Sequence, residues 1–386
     1  QTVDDVLRLA GQVAGTVTLY YRLILFALLL GGAVLLLGTD RPSNPVAGTS
    51  VVALLVLGAL AGAAAVVTNL HPIQADVIYK QANPYERQDQ WPVAIRHYQR
   101  AIDLAPREDF YYLYLGRAYL EYAKTLDDAE QRRTMLGKTE ETLTQAREVN
   151  PLNTDHSANL ARMYRTWAQL AQDGQRRQEL VELSSRNYEI ATTLSPQNAL
   201  LWNEWGMLYL SVGNFDVAQQ KISHSLEIDP DFDQTWTIQA DVYANQDMIT
   251  DALEAYQTAL ELDPKQVDVW LRVGDIRRQQ GELEEAAEAY EAALELRPNH
   301  VQAWRVLGSI YAQTEKPQKG IEALQQALEL APEGGDAWDT HRMLAILYSQ
   351  VGQQDAALAH AEQALQMAPE GQQANLEQLL AQLQGS

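Results

Sequence analysis

The fold is decided by residues 264–298, which read PKQVDVWLRVGDIRRQQGELEEAAEAYEAALELRP. Apolar residues recur at helical spacing on both sides of Gly281 and a proline closes each end, so the stretch predicts two helices joined by a turn. The same markers recur along the chain. Tryptophan returns at a constant interval at Trp202, Trp236, Trp270, Trp304 and Trp338, and proline does so at Pro196, Pro230, Pro264, Pro298 and Pro332. A fixed period of about 34 residues indicates stacked repeats, because one unit is too small to bury its own apolar face.

Small and aromatic residues keep their places within these repeats. Gly206, Ala240, Gly274 and Gly308 each follow a tryptophan by four residues, and Tyr209, Tyr243 and Tyr311 lie three residues further on. This set of markers resembles the tetratricopeptide repeat (TPR), a helix–turn–helix unit of the same period. The resemblance implies an all-α, right-handed α-solenoid in which the small residues let the two helices approach and the tryptophans pack in the core.

The repeat extends upstream in a stretched form. Pro106, Pro151 and Pro196 are spaced by 45 residues, which leaves eleven extra residues in each interval. Eleven residues make close to three helical turns, so either longer helices or a longer turn between them would preserve the packing phase. At the other end of the array, leucines on one face of residues 370–386 predict a capping helix.

Residues 1–75 differ from the rest of the chain. Residues 23–39 and 42–75 contain no Asp, Glu, Lys or Arg, and each stretch is long enough for a helix to cross a bilayer. They predict a hydrophobic, transmembrane-type helical hairpin over residues 17–75, placed in membrane lipid or buried inside a protein assembly. Gly58 and Gly62 form a small-xxx-small pair and are candidates for close helix packing.

The predicted domains follow from these boundaries. They are an N-terminal flank (1–16), the hairpin (17–75), atypical TPR units with 45-residue spacing (76–196), regular TPR units (197–369) and the capping helix (370–386). The chain begins with Gln1, which favours a processed product or a fragment of a longer protein.

The less regular stretches carry a second resemblance. Residues 69–76 (NLHPIQAD), 108–119 (EDFYYLYLGRAY), 150–162 (NPLNTDHSANLAR) and 195–205 (SPQNALLWNEW) are similar to the C-terminal part of bacterial O-antigen ligase/polymerase-like membrane proteins that end in TPRs. The resemblance covers about residues 15–250. It implies a place in the cell envelope and a role in surface glycan assembly. That family's glycan chemistry belongs to a many-helix membrane domain, so no catalytic residue is carried over.

Composition excludes several classes of function. The net charge is −22, and residues 197–386 hold 10 basic and 30 acidic residues, which argues against nucleic acid as a partner. The absence of cysteine excludes thiol nucleophiles and cysteine metal sites. Asp229, Asp231 and Asp233 resemble the start of a calcium loop, but Gln234 stands where that loop requires glycine. We therefore expect no metal, no cofactor and no enzyme activity in this chain.

A TPR array binds partners through the face formed by the first helix of each repeat. The candidates by repeat phase are Asn203, Met207, Thr237, Asp241, Asn245, Leu271, Asp275, Arg278, Arg305, Ser309 and Gln313. These are mixed polar groups that suit a peptide or another helix, although ordinary solvated side chains would give the same pattern.

Three functions remain open from the sequence. The first is a non-catalytic, membrane-anchored TPR scaffold of the bacterial cell envelope, with the array outside the cytoplasm. The second is a subunit that assembles with itself into an extracellular filament or tube with the hairpin buried in the polymer. The third is a C-terminal fragment of an O-antigen ligase-like glycosyl-transfer enzyme. Partners are accordingly other proteins, further copies of the chain, or membrane lipid through residues 17–75.

We expect Trp236→Ala or Trp270→Ala to lower the free energy of unfolding by about 3–5 kcal/mol, the range for truncating a large packed aromatic side chain. Chemical denaturation followed by circular dichroism measures this. A loss below about 1 kcal/mol in either variant would contradict the packing role.

Overall fold

The structure, a computed structural model, describes residues 65–385 and, before them, residues 18, 19, 22, 23, 26, 56, 58–60, 62 and 63. Every described element is helical, which confirms the all-α prediction for this part of the chain. The described residues form two compact units, and the division between them falls between Leu201 and Trp202.

From residue 65 onward, where the description of the chain is continuous, the first unit opens on a π-helical turn, Val66–Leu70, that continues directly into a helix. Its helices are α1 (His71–Lys80), α2 (Asn83–Glu86), α3 (Trp91–Leu104), α4 (Asp109–Thr125), α5 (Ala129–Val149), α6 (Thr154–Leu170) and α7 (Gly174–Leu194). The predicted boundary between residues 75 and 76 therefore falls inside one continuous helix. Ala75 and Tyr79 are buried in the same apolar cluster as Tyr98 on α3, so residues near this boundary pack with the array.

The second unit consists of helix pairs and a final single helix. α8 (Ala199–Leu210) spans the division between the units and is followed by α9 (Phe215–Ile228), α10 (Asp233–Asn245), α11 (Ile249–Leu262), α12 (Val267–Gln280), α13 (Leu283–Leu296), α14 (Val301–Gln313), α15 (Pro317–Leu330), α16 (Ala337–Gln350), α17 (Gln354–Met367) and α18 (Glu370–Gly385). Leu376 and Leu383 of α18 are buried, as a packed terminal helix requires.

Both members of a stretched repeat are longer than their regular counterparts. α4 has 17 residues where α10 has 13, and α5 has 21 where α11 has 14. The eleven additional residues thus add about one turn to the first helix and two turns to the second. Since whole turns are added and the connection stays short, the residues that face the partner helix keep their orientation.

The small residues stand where the two helices of a repeat come closest. A Cβ atom added at Gly116 would lie 2.6 Å from Leu143, and one added at Gly308 would lie 2.6 Å from Leu324. Gly206 faces Ile222 in the same way. These distances are too short for real contacts, which confirms that these positions must be small for the first helix to pack against the second.

The repeated tryptophans lie at the edge of the core and are only half-buried. Their indole N–H groups donate to the carbonyl oxygen of the proline six residues earlier: Trp236 to Pro230 at 2.8 Å, Trp270 to Pro264 at 3.0 Å and Trp304 to Pro298 at 2.8 Å. Each tryptophan therefore ties the turn between repeats to the following helix. Because Trp236 and Trp270 are only partly buried, we expect their truncation to alanine to lower the free energy of unfolding by an amount near the lower end of the predicted range.

Trp338 does not share this position, although it continues the constant spacing of the tryptophans. It packs beside Ala364, Ala368 and Leu376. The connection before α16 contains Gly334 and Gly335, and the equivalent of Tyr311 is Tyr348, three positions beyond the regular spacing. Three added residues shift the register, so His341 takes the place that Trp304 holds one repeat earlier.

Tyrosines of the first helices link neighbouring repeats through their hydroxyl groups. Gln99 of α3 donates to Tyr119 of α4 at 2.8 Å, and Gln325 of α15 donates to Tyr348 of α16 at 2.7 Å. Tyr311 of α14 donates to Glu291 of α13 in the same arrangement. Each hydroxyl therefore binds the second helix of the preceding repeat, in addition to the packing predicted from sequence.

The predicted flank (1–16) lies outside the described residues, and so does most of the predicted hairpin (17–75). Gly58 and Gly62 are both helical, the first half-buried and the second buried. Within the described part of the chain, no helix combines the length and the apolar character needed to cross a membrane.

The turns inside the repeats of the second unit share one backbone conformation. Gly213, Asp247, Gly281, Glu315 and Gly352 occupy equivalent places, and all have positive φ, between 55° and 81°. A left-handed backbone favours glycine, because a side chain clashes there with the following carbonyl oxygen. Asp247 and Glu315 are therefore strained positions that sequence reading alone does not reveal.

We expect Gly281→Ala to lower the free energy of unfolding by about 1 kcal/mol and Glu315→Gly to raise it by up to about 1 kcal/mol. The added Cβ at Gly281 meets no atom within 4 Å, so backbone strain accounts for the loss. Urea denaturation of the two variants provides the measurement. Shifts of the same sign would show that φ does not control stability at these turns.

Candidate functional site

The predicted binding residues of α8 differ sharply in exposure. Asn203 is 1% exposed, and neither its side-chain nitrogen nor its oxygen has a hydrogen-bond partner. Met207 is 41% exposed. Met207 is thus accessible to a partner, whereas Asn203 is enclosed.

On α10, the predicted residues are held mainly by their own repeat and the next one. Thr237 donates to Gln266 at 3.1 Å, and the exposed Asn245 donates to the Asp241 carbonyl oxygen at 2.8 Å. The Asp241 carboxylate accepts from the Tyr256 hydroxyl and pairs with Arg272 of α12. Burial raises the pKa of Tyr256 to about 12, so this hydroxyl remains a donor at neutral pH.

The aspartate–tyrosine pair recurs on α12, with an arginine of the same helix beside it. Asp275 accepts from the Tyr290 hydroxyl at 2.6 Å and pairs with Arg278 at 3.3 Å. Burial, followed by the hydrogen bond to Asp275, raises the pKa of Tyr290 above its usual value. Leu271 is half-buried and packs against the apolar cluster around Tyr290. Asp241 and Asp275 therefore already have internal partners.

On α14, Arg305 pairs with two carboxylates at the start of the next repeat. Its side chain is only 14% exposed and forms ion pairs with Asp336 at 2.6 Å and Asp339 at 3.4 Å. Ser309 is half-buried, and the exposed Gln313 lies within 3.4 Å of its hydroxyl group. The Arg305 contacts join this repeat to the start of the next.

Sequence reasoning missed the partners that hold these side chains. They are Arg272, Tyr256, Tyr290, Asp336 and Asp339. A detectable signal existed: Asp241 and Asp275 are separated by one repeat period, as are Tyr256 and Tyr290. In the next repeat, Leu324 stands at the tyrosine position and Ser309 at the aspartate position. The carboxylate and the tyrosine hydroxyl are therefore lost together.

Two cavities of the second unit lie elsewhere, between successive second helices of the repeats. One, of about 750 Å³, is bounded by α13 and α15 above Trp304. The other, of about 850 Å³, is bounded by α11 and α13 above Trp270. None of the predicted first-helix residues lines either cavity.

A pair of histidines joins α16 and α17. His341 Nδ1 and His360 Nδ1 are 2.8 Å apart, and the His360 ring stacks on Tyr348 with centroids 5.3 Å apart. Burial lowers the pKa of both histidines, and the neighbouring His341 lowers the pKa of His360 further. Both rings are therefore held in the neutral form.

The described residues also show whether the chain can hold a metal ion. They contain no group of three or more His, Cys, Asp or Glu side chains arranged to hold a metal ion. In the acidic stretch that resembles a calcium loop, Asp229 instead accepts from the backbone N–H of Asp231 at 3.2 Å. This contact stabilises a local turn.

The repeats match a known family model over part of the chain. The tetratricopeptide repeat model matches residues 203–267, 238–300 and 271–335. Residues 203–335 carry tetratricopeptide repeats. No curated protein matches the chain, and these comparisons give no support to the resemblance to O-antigen ligase-like proteins.

Several solved structures are similar to the chain over about half its length. MamA from Desulfovibrio magneticus RS-1 is 21% identical and covers 44% of this chain and 94% of its own, with a TM-score of 0.38. YrrB, described as a TPR protein with an unusual peptide-binding site, is 17% identical and covers 52% and 98%, with a TM-score of 0.44. PilF of Pseudomonas aeruginosa is 18% identical and covers 60% and 96%, with a TM-score of 0.45.

We expect His360→Gln to reduce the loss of stability in acid. Below about pH 6.5 the unfolded chain binds protons that the folded histidine pair resists, so stability falls as the pH drops. Removing one histidine of the pair makes this fall shallower. The melting temperature measured against pH tests the prediction. An unchanged slope in His360→Gln would contradict the assignment.

Proposed function

We propose that the chain is a non-catalytic TPR interaction scaffold, held at a membrane of the bacterial cell envelope by residues 17–75. The scaffold part is supported by the tetratricopeptide repeats of residues 203–335, because stacked repeats expose long helical surfaces to other proteins. The role in surface glycan assembly and the placement of the array outside the cytoplasm rest on the sequence resemblance alone.

Exposed apolar side chains carry the membrane part of the proposal. Leu19, Leu23, Phe26, Val56 and Leu60 are between 52% and 64% exposed. Their spacings of four and three residues place neighbours on the same side of a helix. Transfer of each from water to an apolar environment is favourable by about 1.5–3 kcal/mol, so this surface favours insertion into lipid or burial by protein.

Self-assembly is the second candidate because a polymer of the chain would bury the same side chains. The two candidates differ in the environment that replaces water. Lipid vesicles compete with self-association if the segment is an anchor, whereas a polymer forms without lipid.

A liposome flotation experiment on the full chain separates the candidates. We expect the protein to float with the vesicles and the triple variant Leu23→Lys, Phe26→Lys, Leu60→Lys to remain at the bottom, because buried lysines oppose insertion. Leu152→Lys is the matched control, since Leu152 is 78% exposed but lies in the array; it floats as the unmodified protein does. Pelleting of filaments without lipid would overturn the anchor in favour of the polymer.

A further inference from the structure

The groove between α11 and α13 combines an aromatic floor with a carboxylate rim. Trp270, Val273 and Leu260 supply apolar surface, and its volume of about 850 Å³ lies in the range of known ligand sites, about 300–1,000 Å³. Five glutamates and one arginine line it: Glu254, Glu261, Glu282, Glu285, Glu288 and Arg277.

Little of this charge is neutralised from within. Arg277 pairs with Glu282, and Glu261 accepts a hydrogen bond from Gln257 at 3.0 Å. Among the described residues, Glu254, Glu285 and Glu288 take part in no ion pair with a lysine or arginine. The rim therefore keeps a strong negative charge beside the Trp270 ring.

The neighbouring groove, above Trp304, contains a lysine of its own. There Lys319 lies 3.7 Å from Glu291, and its ammonium group is 5.2 Å from the centre of the Tyr311 ring. One repeat earlier, the residue equivalent to Lys319 is Glu285. The groove above Trp270 thus has a carboxylate where its neighbour has an ammonium group.

A second internal example lies at the start of the unit. The Lys221 ammonium group is 3.8 Å from the centre of the Trp205 ring and 5.6 Å from that of Trp202. The faces of aromatic rings attract cations, and tryptophan does so most strongly. Among the described contacts, no lysine or arginine lies over the ring of Trp270.

We propose that the groove between α11 and α13 binds a partner peptide that carries lysine or arginine next to apolar residues. The basic side chain lies over Trp270 and pairs with Glu285 and Glu288, and its apolar neighbours contact Val273 and Leu260. The charge of residues 197–386, with 10 basic and 30 acidic residues, steers such a partner to this unit. This inference rests on the proposed scaffold function and names the chemistry of its partner.

Fluorescence anisotropy with a labelled peptide of alternating arginine and leucine tests the proposal on the full chain. The double variant Glu285→Gln, Glu288→Gln weakens binding by about tenfold, as expected for the loss of two partly exposed charge pairs. The control, Asp251→Asn with Glu284→Gln, removes the same charge from exposed positions of α11 and α13 outside the groove. It leaves the affinity within about twofold, the change expected for charges that make no direct contact.

The contribution of the ring is tested by a second matched pair. Trp270→Phe and Trp304→Phe each lose an indole hydrogen bond to a proline carbonyl oxygen, so they perturb the fold alike. Only Trp270→Phe weakens peptide binding, because the groove above Trp304 already contains Lys319.

Three results would overturn the proposal. They are equal weakening by both double variants, equal binding of a glutamate–leucine peptide, and rim-dependent self-association of the chain without peptide. The last would assign the groove to a second copy. Liposome flotation depends on other residues, so a failed peptide assay leaves the anchor proposal intact.

Discussion

The close approach of the two helices within each repeat is the constraint on which the rest of the structure depends. Glycine at residues 116, 206 and 308 brings the first helix so near the second that an added Cβ would overlap a leucine or isoleucine side chain. Because packing energy falls steeply with separation, this contact fixes the axial position of each helix. The tryptophan–proline hydrogen bonds and the tyrosine links between repeats follow from that fixed position.

This constraint explains why the stretched repeats fit the same scheme. Their additional turns lie in both helices, and the short connection of residues 126–128 is comparable with those of the regular repeats. Adding whole turns leaves the orientation of Gly116 toward Leu143 unchanged. In the last repeat, three residues are added before the helix instead, so the tryptophan loses its place and His341 takes it. That change produces the His341–His360 contact.

The two surfaces of the second unit differ in whether their charged groups already have partners within the chain. On the first-helix side, Asp241 and Asp275 are fixed by tyrosines of the second helix, so the polar groups predicted to bind a partner are largely satisfied internally. Between the second helices, the carboxylates of the groove above Trp270 project from neighbouring repeats without a common cation. Partner recognition is therefore proposed for the groove.

The sequence by itself determined the helical repeats, their period and the small residues of the helix contact, because these depend on local spacing along one chain. Only the tertiary structure decided which polar residues are already paired, where Trp338 packs and which repeats form an open acidic groove. Those properties depend on contacts between side chains that lie about 15 to 35 residues apart in the sequence. A single replacement, such as Glu285 in one repeat and Lys319 in the next, changes whether a groove contains its own cation. The repeat pattern, which places both residues at the same position, does not predict that difference.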